Sequence, residues 1–181
     1  MQKHYVSVIF YDVISLNGYF EDLRAERHGD NALRLAHFLA SEGVKRGWVQ
    51  SKDDILYPGL PWNPHYEITV EQLSKRVRNQ TKDYTQGIQT GGMLSVKFSS
   101  RVNDAGEKIL ENLKVFTLAE SLGGVESLAE LPVKMTHAGV PQAIREELGI
   151  DDCLVRFSVG VEDYEDLKND IVAAATAIYE N

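Results

Sequence analysis

Apolar positions along the chain fall into short, punctuated segments whose spacing switches between two periods. The first, Tyr5-Val6-Ser7-Val8-Ile9-Phe10-Tyr11-Asp12-Val13-Ile14, is β-branched and aromatic and predicts a strand or a buried segment. From Gly18 the pattern turns helical: Ala32, Leu35, Ala36 and Leu39 recur at i, i+3, i+4 and i+7 as one apolar stripe, and Gly43 is placed to end it. A loop with Gly47 and a short run, Asp54-Ile55-Leu56-Tyr57, lead to Pro58-Gly59-Leu60-Pro61, where two prolines around a glycine enforce a turn. Residues 64–80 predict a helix after Asn63-Pro64. It shades into a polar, loosely patterned loop or insertion over 75–90 that carries Lys75, Arg76, Arg78, Lys82 and Asp83.

Gly91-Gly92 then opens a strand in which Leu94, Val96 and Phe98 alternate with Ser95 and Lys97, the period of a half-buried strand. Asp104 with Glu107 reads as a capping box before a helix through Leu113, and Val115 to Ala119 as a further strand. Pro141 suits a first helical position, Ile144 and Leu148 share a face, and Gly149 can close that helix. Leu154 to Val159 is the next strand. Asp163 can cap a last helix with the stripe Leu167, Ile171, Ala174, Ala175 and Ile178. Each helix has a single apolar face. The expected class is therefore α+β: a small mixed or antiparallel sheet with helices packed mainly on one face, preceded by a long helix. These signals do not fix the pairing direction.

Composition changes this picture little. The chain has 181 residues and a hydrophobic share of 43%, enough to bury a core without covalent staples. A net charge of −8 argues against nucleic acid or an anionic membrane surface as partner and fits a cytoplasmic protein. Cys153 is the lone cysteine, so no internal disulfide forms, and it reads as a packed small hydrophobe rather than a nucleophile. No apolar run reaches membrane-spanning length, and Asp12 interrupts the N-terminal stretch in a way that does not suit a secretory signal. His4, His28, His37, His65 and His137 have no spacing that singles out a metal site.

One segment is not generic: Phe116-Thr117-Leu118-Ala119-Glu120-Ser121-Leu122-Gly123-Gly124-Val125-Glu126-Ser127-Leu128-Ala129-Glu130-Leu131-Pro132. With Met135-Thr136-His137-Ala138, Leu148-Gly149-Ile150-Asp151-Asp152 and Leu154-Val155-Arg156-Phe157-Ser158-Val159-Gly160-Val161-Glu162-Asp163, it resembles the C-terminal part of the transsulfuration (Cys/Met metabolism) enzymes that depend on pyridoxal 5'-phosphate (PLP), most of all the cystathionine γ-lyase group. Tyr57-Pro58-Gly59-Leu60-Pro61 with Pro64-His65, Gly91-Gly92-Met93-Leu94-Ser95, and Glu26-Arg27-His28 with Asn31-Ala32-Leu33 extend the likeness upstream. It covers about residue 18 to the end and implies that residues 18–181 form the C-terminal domain of a fold-type-I PLP enzyme, after an unmatched segment 1–17.

Such an enzyme must hold the α-carboxylate of an amino-acid substrate, and the planar fork of a guanidinium suits that task. Arg156 is the candidate. It alternates with Val155, Phe157 and Val159 on an apolar strand and requires an anion; an ion pair to one of the chain's many carboxylates is the alternative. The resemblance implies substrate contacts also for Ser121, before the small residues Gly123-Gly124, for Glu120 at the mouth of the site, where it bears on reaction preference, and a supporting role for Thr136.

The resemblance equally shows what to expect elsewhere. The family's Schiff-base lysine, the aspartate that pairs with the pyridine nitrogen, the ring-stacking tyrosine and the phosphate cradle match no position here. The expectation is thus a substrate-binding wall with no catalytic, cofactor-binding or metal residues of its own, which does not bind PLP covalently. The implied reaction is cleavage of cystathionine to cysteine, 2-oxobutanoate and ammonia, in a homo- or hetero-oligomer with a full-length relative. The alternative is a non-catalytic remnant whose role is to bind such a paralogue or another protein.

Overall fold

The computed structural model describes residues 20–74 and 86–180. The strand-like segment over 5–14 and most of the polar loop expected over 75–90 lie outside the described residues. Helix α1 (Phe20–Phe38) winds into a wider π turn over Leu39–Gly43, and the stripe Ala32, Leu35, Ala36 and Leu39 is fully buried. A 3₁₀ turn, Lys52–Asp54, is locked by a capping box between Ser51 and Asp54 and leads into β1 (Ile55–Leu56). Helix α2 (Tyr66–Gln72) is shorter than the 64–80 that the pattern suggests: Leu73 leaves it in extended backbone. None of its residues is buried, so no packing prolongs it beyond what marginal local propensity supports.

The sheet contains β1, β2 (Met93–Lys97), β3 (Thr117–Leu118), β4 (Leu128–Glu130) and β5 (Leu154–Ser158), in the order β1-β2-β5-β4-β3. Strands β3 and β4 pair in parallel and every other pair is antiparallel, so the sheet is mixed. Leu94, Val96, Ala129, Val155 and Phe157 point into the core. Against them pack α1, α3 (Ala105–Asn112) and α5 (Tyr164–Tyr179), whose Leu167, Ile171, Ala174 and Ala175 are fully buried. Asp163 caps α5, its carboxylate accepting from the Glu165 amide. The last helix to place, α4 (Gln142–Glu147), follows Pro141 and is closed by Gly149 at φ 71°. Its apolar pair faces outward, Ile144 at 46% and Leu148 at 37% exposure.

Two local expectations fail for physical reasons. Asp104 does not form a capping box with Glu107: its backbone is left-handed at φ 55° and its side chain caps nothing. The entry to α3 is set instead by Gly106, whose amide donates to the Asp152 carbonyl at 3.0 Å, so close that a Cβ there would sit 2.6 Å from that oxygen. The strand expected over 115–119 shrinks to β3, because the amides of Lys114, Val115 and Phe116 all donate to the buried carboxylate of Asp170 on α5. Strand β4, which no alternation announces, takes the place beside β5.

Candidate functional site: a buried arginine behind a glycine-bearing loop

The register of the sheet centre creates the site. Directly opposite residues of antiparallel strands share a face, and Arg156 of β5 lies opposite Glu130 of β4. Val155 and Phe157 take the core face, which leaves Arg156 and Glu130 together on the other. Both are buried: Glu130 fully, and Arg156 down to 8% exposure. Their ion pair spans 2.7 Å from Nη1 to Oε1. Arg156 Nη2 donates to the carbonyl oxygens of Glu120 at 2.9 Å and Ser121 at 3.2 Å. The Thr136 hydroxyl donates to Glu130 Oε1 at 3.0 Å and lies 2.9 Å from His137 Nδ1. Among the described residues, two buried polar atoms of this pair have no partner, Arg156 Nε and Glu130 Oε2.

Desolvation dominates the electrostatics. Burial pushes the Glu130 carboxyl above the ordinary carboxylate range, against the pull of the Arg156 charge and the Thr136 hydroxyl. Burial also pulls the Arg156 guanidinium down, opposed by Glu130 and Glu120. A guanidinium starts from so high a pKa that it keeps its charge throughout.

The loop between β3 and β4 covers this pair, and its shape is fixed from three sides. Gly123, at φ 75°, donates its amide to the Ser158 hydroxyl at 2.9 Å. Ser127 is buried and bound to Glu162 twice: its amide donates to Oε1 at 2.6 Å and its hydroxyl to Oε2 at 2.8 Å. That hydroxyl accepts from the Gly160 amide at 2.7 Å, and Asn31 of α1 donates its amide to the carbonyls of Gly160 and Glu162, each at 3.0 Å. Gly160 must be glycine here, since a Cβ would come within 2.4 Å of the Val125 carbonyl oxygen.

All four residues singled out from the sequence thus meet in one hydrogen-bond network, but not all through their side chains. Glu120 and Ser121 present backbone carbonyls to Arg156, and both residues are exposed. Thr136 reaches Arg156 only through Glu130. Glu130, Ser127, Ser158 and Glu162 were not singled out. Glu130 carried a usable signal: a carboxylate inside the apolar run Leu128-Ala129-Glu130-Leu131 demands a partner for the same reason that Arg156 does. Cys153 is half-buried and burial pushes its thiol up, away from nucleophilic use. Among the described residues no group of three His, Cys, Asp or Glu side chains converges as a metal site would require.

This network lies inside the stretch that decides kinship: a family model described as "Cys/Met metabolism PLP-dependent enzyme" matches residues 21–176. The chain belongs to that family. It is similar to a cystathionine beta-lyase of Coxiella burnetii, with 43% identity over 84% of this chain and 34% of the relative. A cystathionine gamma-lyase of Bos taurus is 42% identical over 86% of this chain and 33% of its own length. Among solved structures, yeast cystathionine gamma-lyase superposes with a TM-score of 0.72 at 36% identity, over 89% of this chain and 36% of that one. The enzyme of Lactobacillus plantarum, complexed with L-serine, gives a TM-score of 0.67 at 35% identity, over 88% and 36% of the two chains. The chain therefore spans about a third of the length of these relatives.

Enzymes of this family depend on PLP, which supplies an electron sink for amino-acid chemistry once joined to a lysine amine. Such an amine must give up its proton, which burial assists and an adjacent carboxylate opposes. None of the lysines among the described residues is buried. Lys97 and Lys134 are paired with Asp151 and Glu107, each at 2.5 Å, and both amines are pushed up in pKa by those bonds. Lys168 is paired with Glu165, and Lys45 with Glu42 at 3.4 Å. These residues do not fit the cofactor.

Proposed function

We propose that the Arg156 network is the substrate-carboxylate wall of a cystathionine-cleaving enzyme, with residues 18–181 as its C-terminal domain. Water and cystathionine would give cysteine, 2-oxobutanoate and ammonia, with the C–S bond broken. The observation that carries this reading is the buried guanidinium with its Nε–H donor unpaired, set beneath a loop whose Glu120 and Ser121 side chains reach the exterior. A buried donor without a partner costs about 1–3 kcal/mol, and a ligand carboxylate removes that cost. Arg156 binds the carboxylate, Ser121 lines its approach, and Glu120 stands at the mouth, where it bears on reaction preference. Glu130 and Thr136 hold Arg156 from behind. The lysine and the phosphate cradle come from outside this set of residues, so the 181-residue chain is inactive without them. A cytoplasmic site of action and assembly with a full-length relative complete the proposal.

The test adds PLP and then cystathionine to the purified chain, followed by visible absorbance and a 2-oxobutanoate assay. The expected result is neither a Schiff-base band nor product. A band that disappears on borohydride treatment and labels one lysine of this chain would overturn the division of labour proposed here.

A further inference from the structure

A guanidinium has five N–H donors, and three polar contacts engage that of Arg156. One Nη1 donor goes to Glu130, the Nη2 group goes to two loop carbonyls, and Nε–H has no partner among the described residues. The plane of the guanidinium is therefore fixed from two directions before any ligand arrives. On one side it is the carbonyls of a loop. On the other it is a carboxylate with no exposure at all, itself held by the Thr136 hydroxyl at 3.0 Å. Arginine loses substantial rotamer freedom when immobilised, so a ligand meeting an already fixed donor has less ordering to impose. A buried carboxylate is costly to place and easily replaced by an apolar residue if only packing mattered. Its second oxygen also lacks a partner among the described residues, so the carboxylate leaves part of its hydrogen-bonding capacity unsatisfied.

We propose that Glu130 is a positioning residue for carboxylate binding: together with Thr136 it holds the Arg156 guanidinium so that the buried Nε–H is kept free for the ligand. This rests on the proposed role of Arg156 as carboxylate anchor. Glu130 touches no substrate; it acts through Arg156 by neutralising the buried charge and fixing the angle of the donor. With one Nη1 donor committed to Glu130 and the Nη2 group to the loop carbonyls, a ligand carboxylate engages Arg156 through Nε–H, next to the Ser121 loop.

The test uses the full 181-residue chain labelled with ¹⁵N and follows the Arg156 Nε–Hε cross-peak, assigned by its loss in Arg156→Lys, while L-serine is titrated as the probe. In the native chain the proton exchanges slowly with water and shifts saturably with L-serine. In Glu130→Gln, which keeps the shape and loses the charge, exchange accelerates at least tenfold and the L-serine Kd rises about tenfold, one unit on the scale of 1.4 kcal/mol per decade. Glu130→Asp recovers part of both, a rescue that a merely space-filling role would not give. If Glu130→Gln fails to fold, Thr136→Val reports instead, with severalfold faster exchange. Native exchange and affinity in folded Glu130→Gln, or in Thr136→Val where the former is unfolded, overturn the positioning role. Faster exchange in the variants with no L-serine shift in the native chain upholds the positioning of Arg156 and overturns its assignment as carboxylate anchor.

Discussion

Arg156 could be found from the sequence because a charge alternating with Val155, Phe157 and Val159 has no stable place without an anion. Which carboxylate it pairs with could not, because the Glu130–Arg156 pairing is a matter of register between strands 26 positions apart, and a three-residue strand shows no periodicity. The pair makes two predictions. Arg156→Met leaves a buried, uncompensated carboxylate and should lower the unfolding free energy by roughly 3–5 kcal/mol at neutral pH; replacing Glu130 by leucine in the same chain should recover most of it. Urea denaturation of the single and double variants checks both. The second concerns pH. The folded-state pKa of Glu130 is raised above its unfolded value by burial. Its contribution is thus complete below the ordinary glutamate pKa of about 4.3 and is lost as pH rises through the raised folded value. The stability of the native chain relative to Glu130→Gln should decline across that window, read as the difference in urea midpoints; a difference that grows with pH would contradict the direction.

The elements that frame the site are held by groups that local patterns describe poorly. The helical stripes and the Asp163 cap were legible, since each depends on residues a few positions apart. The connection into β3 was not, because its amides are satisfied by Asp170, 54 to 56 positions away. Asp170→Asn should therefore cost about 2 kcal/mol, the value of a charge-assisted bond among buried amides, and free the 114–116 amides to exchange. The loop over Arg156 depends in the same way on Gly160. Gly160→Ala puts a methyl 2.3 Å from Glu162 Oε2 and 2.4 Å from the Val125 carbonyl, and backbone on that side cannot yield cheaply. A loss of about 1–3 kcal/mol should follow, with the Gly123 amide losing its protection as the loop lifts from Ser158. Hydrogen exchange by NMR distinguishes this local opening from a uniform loss.

Taken whole, the molecule packs α1, α3 and α5 on one side of a mixed sheet and places a charged network on the other. The α+β class was legible because single-faced helices admit few other packings. The mixed pairing was not, since β3 runs parallel to β4 through contacts that only the folded chain brings together. Kinship with the Cys/Met metabolism PLP-dependent enzymes followed from ordered motifs spread along the chain, and the match over residues 21–176 agrees. That the same motifs converge on one buried arginine ties the family resemblance to a physical task. The most direct measurement replaces the corresponding third of yeast cystathionine gamma-lyase with residues 20–180 of this chain and follows cystathionine cleavage with and without Arg156→Met. The graft should turn over, and Arg156→Met should cut kcat/KM by roughly a hundredfold, mainly through KM, as the loss of a carboxylate anchor requires. A folded, PLP-loaded graft that fails to cleave cystathionine, or one whose KM is indifferent to Arg156→Met, would contradict the role assigned to this wall.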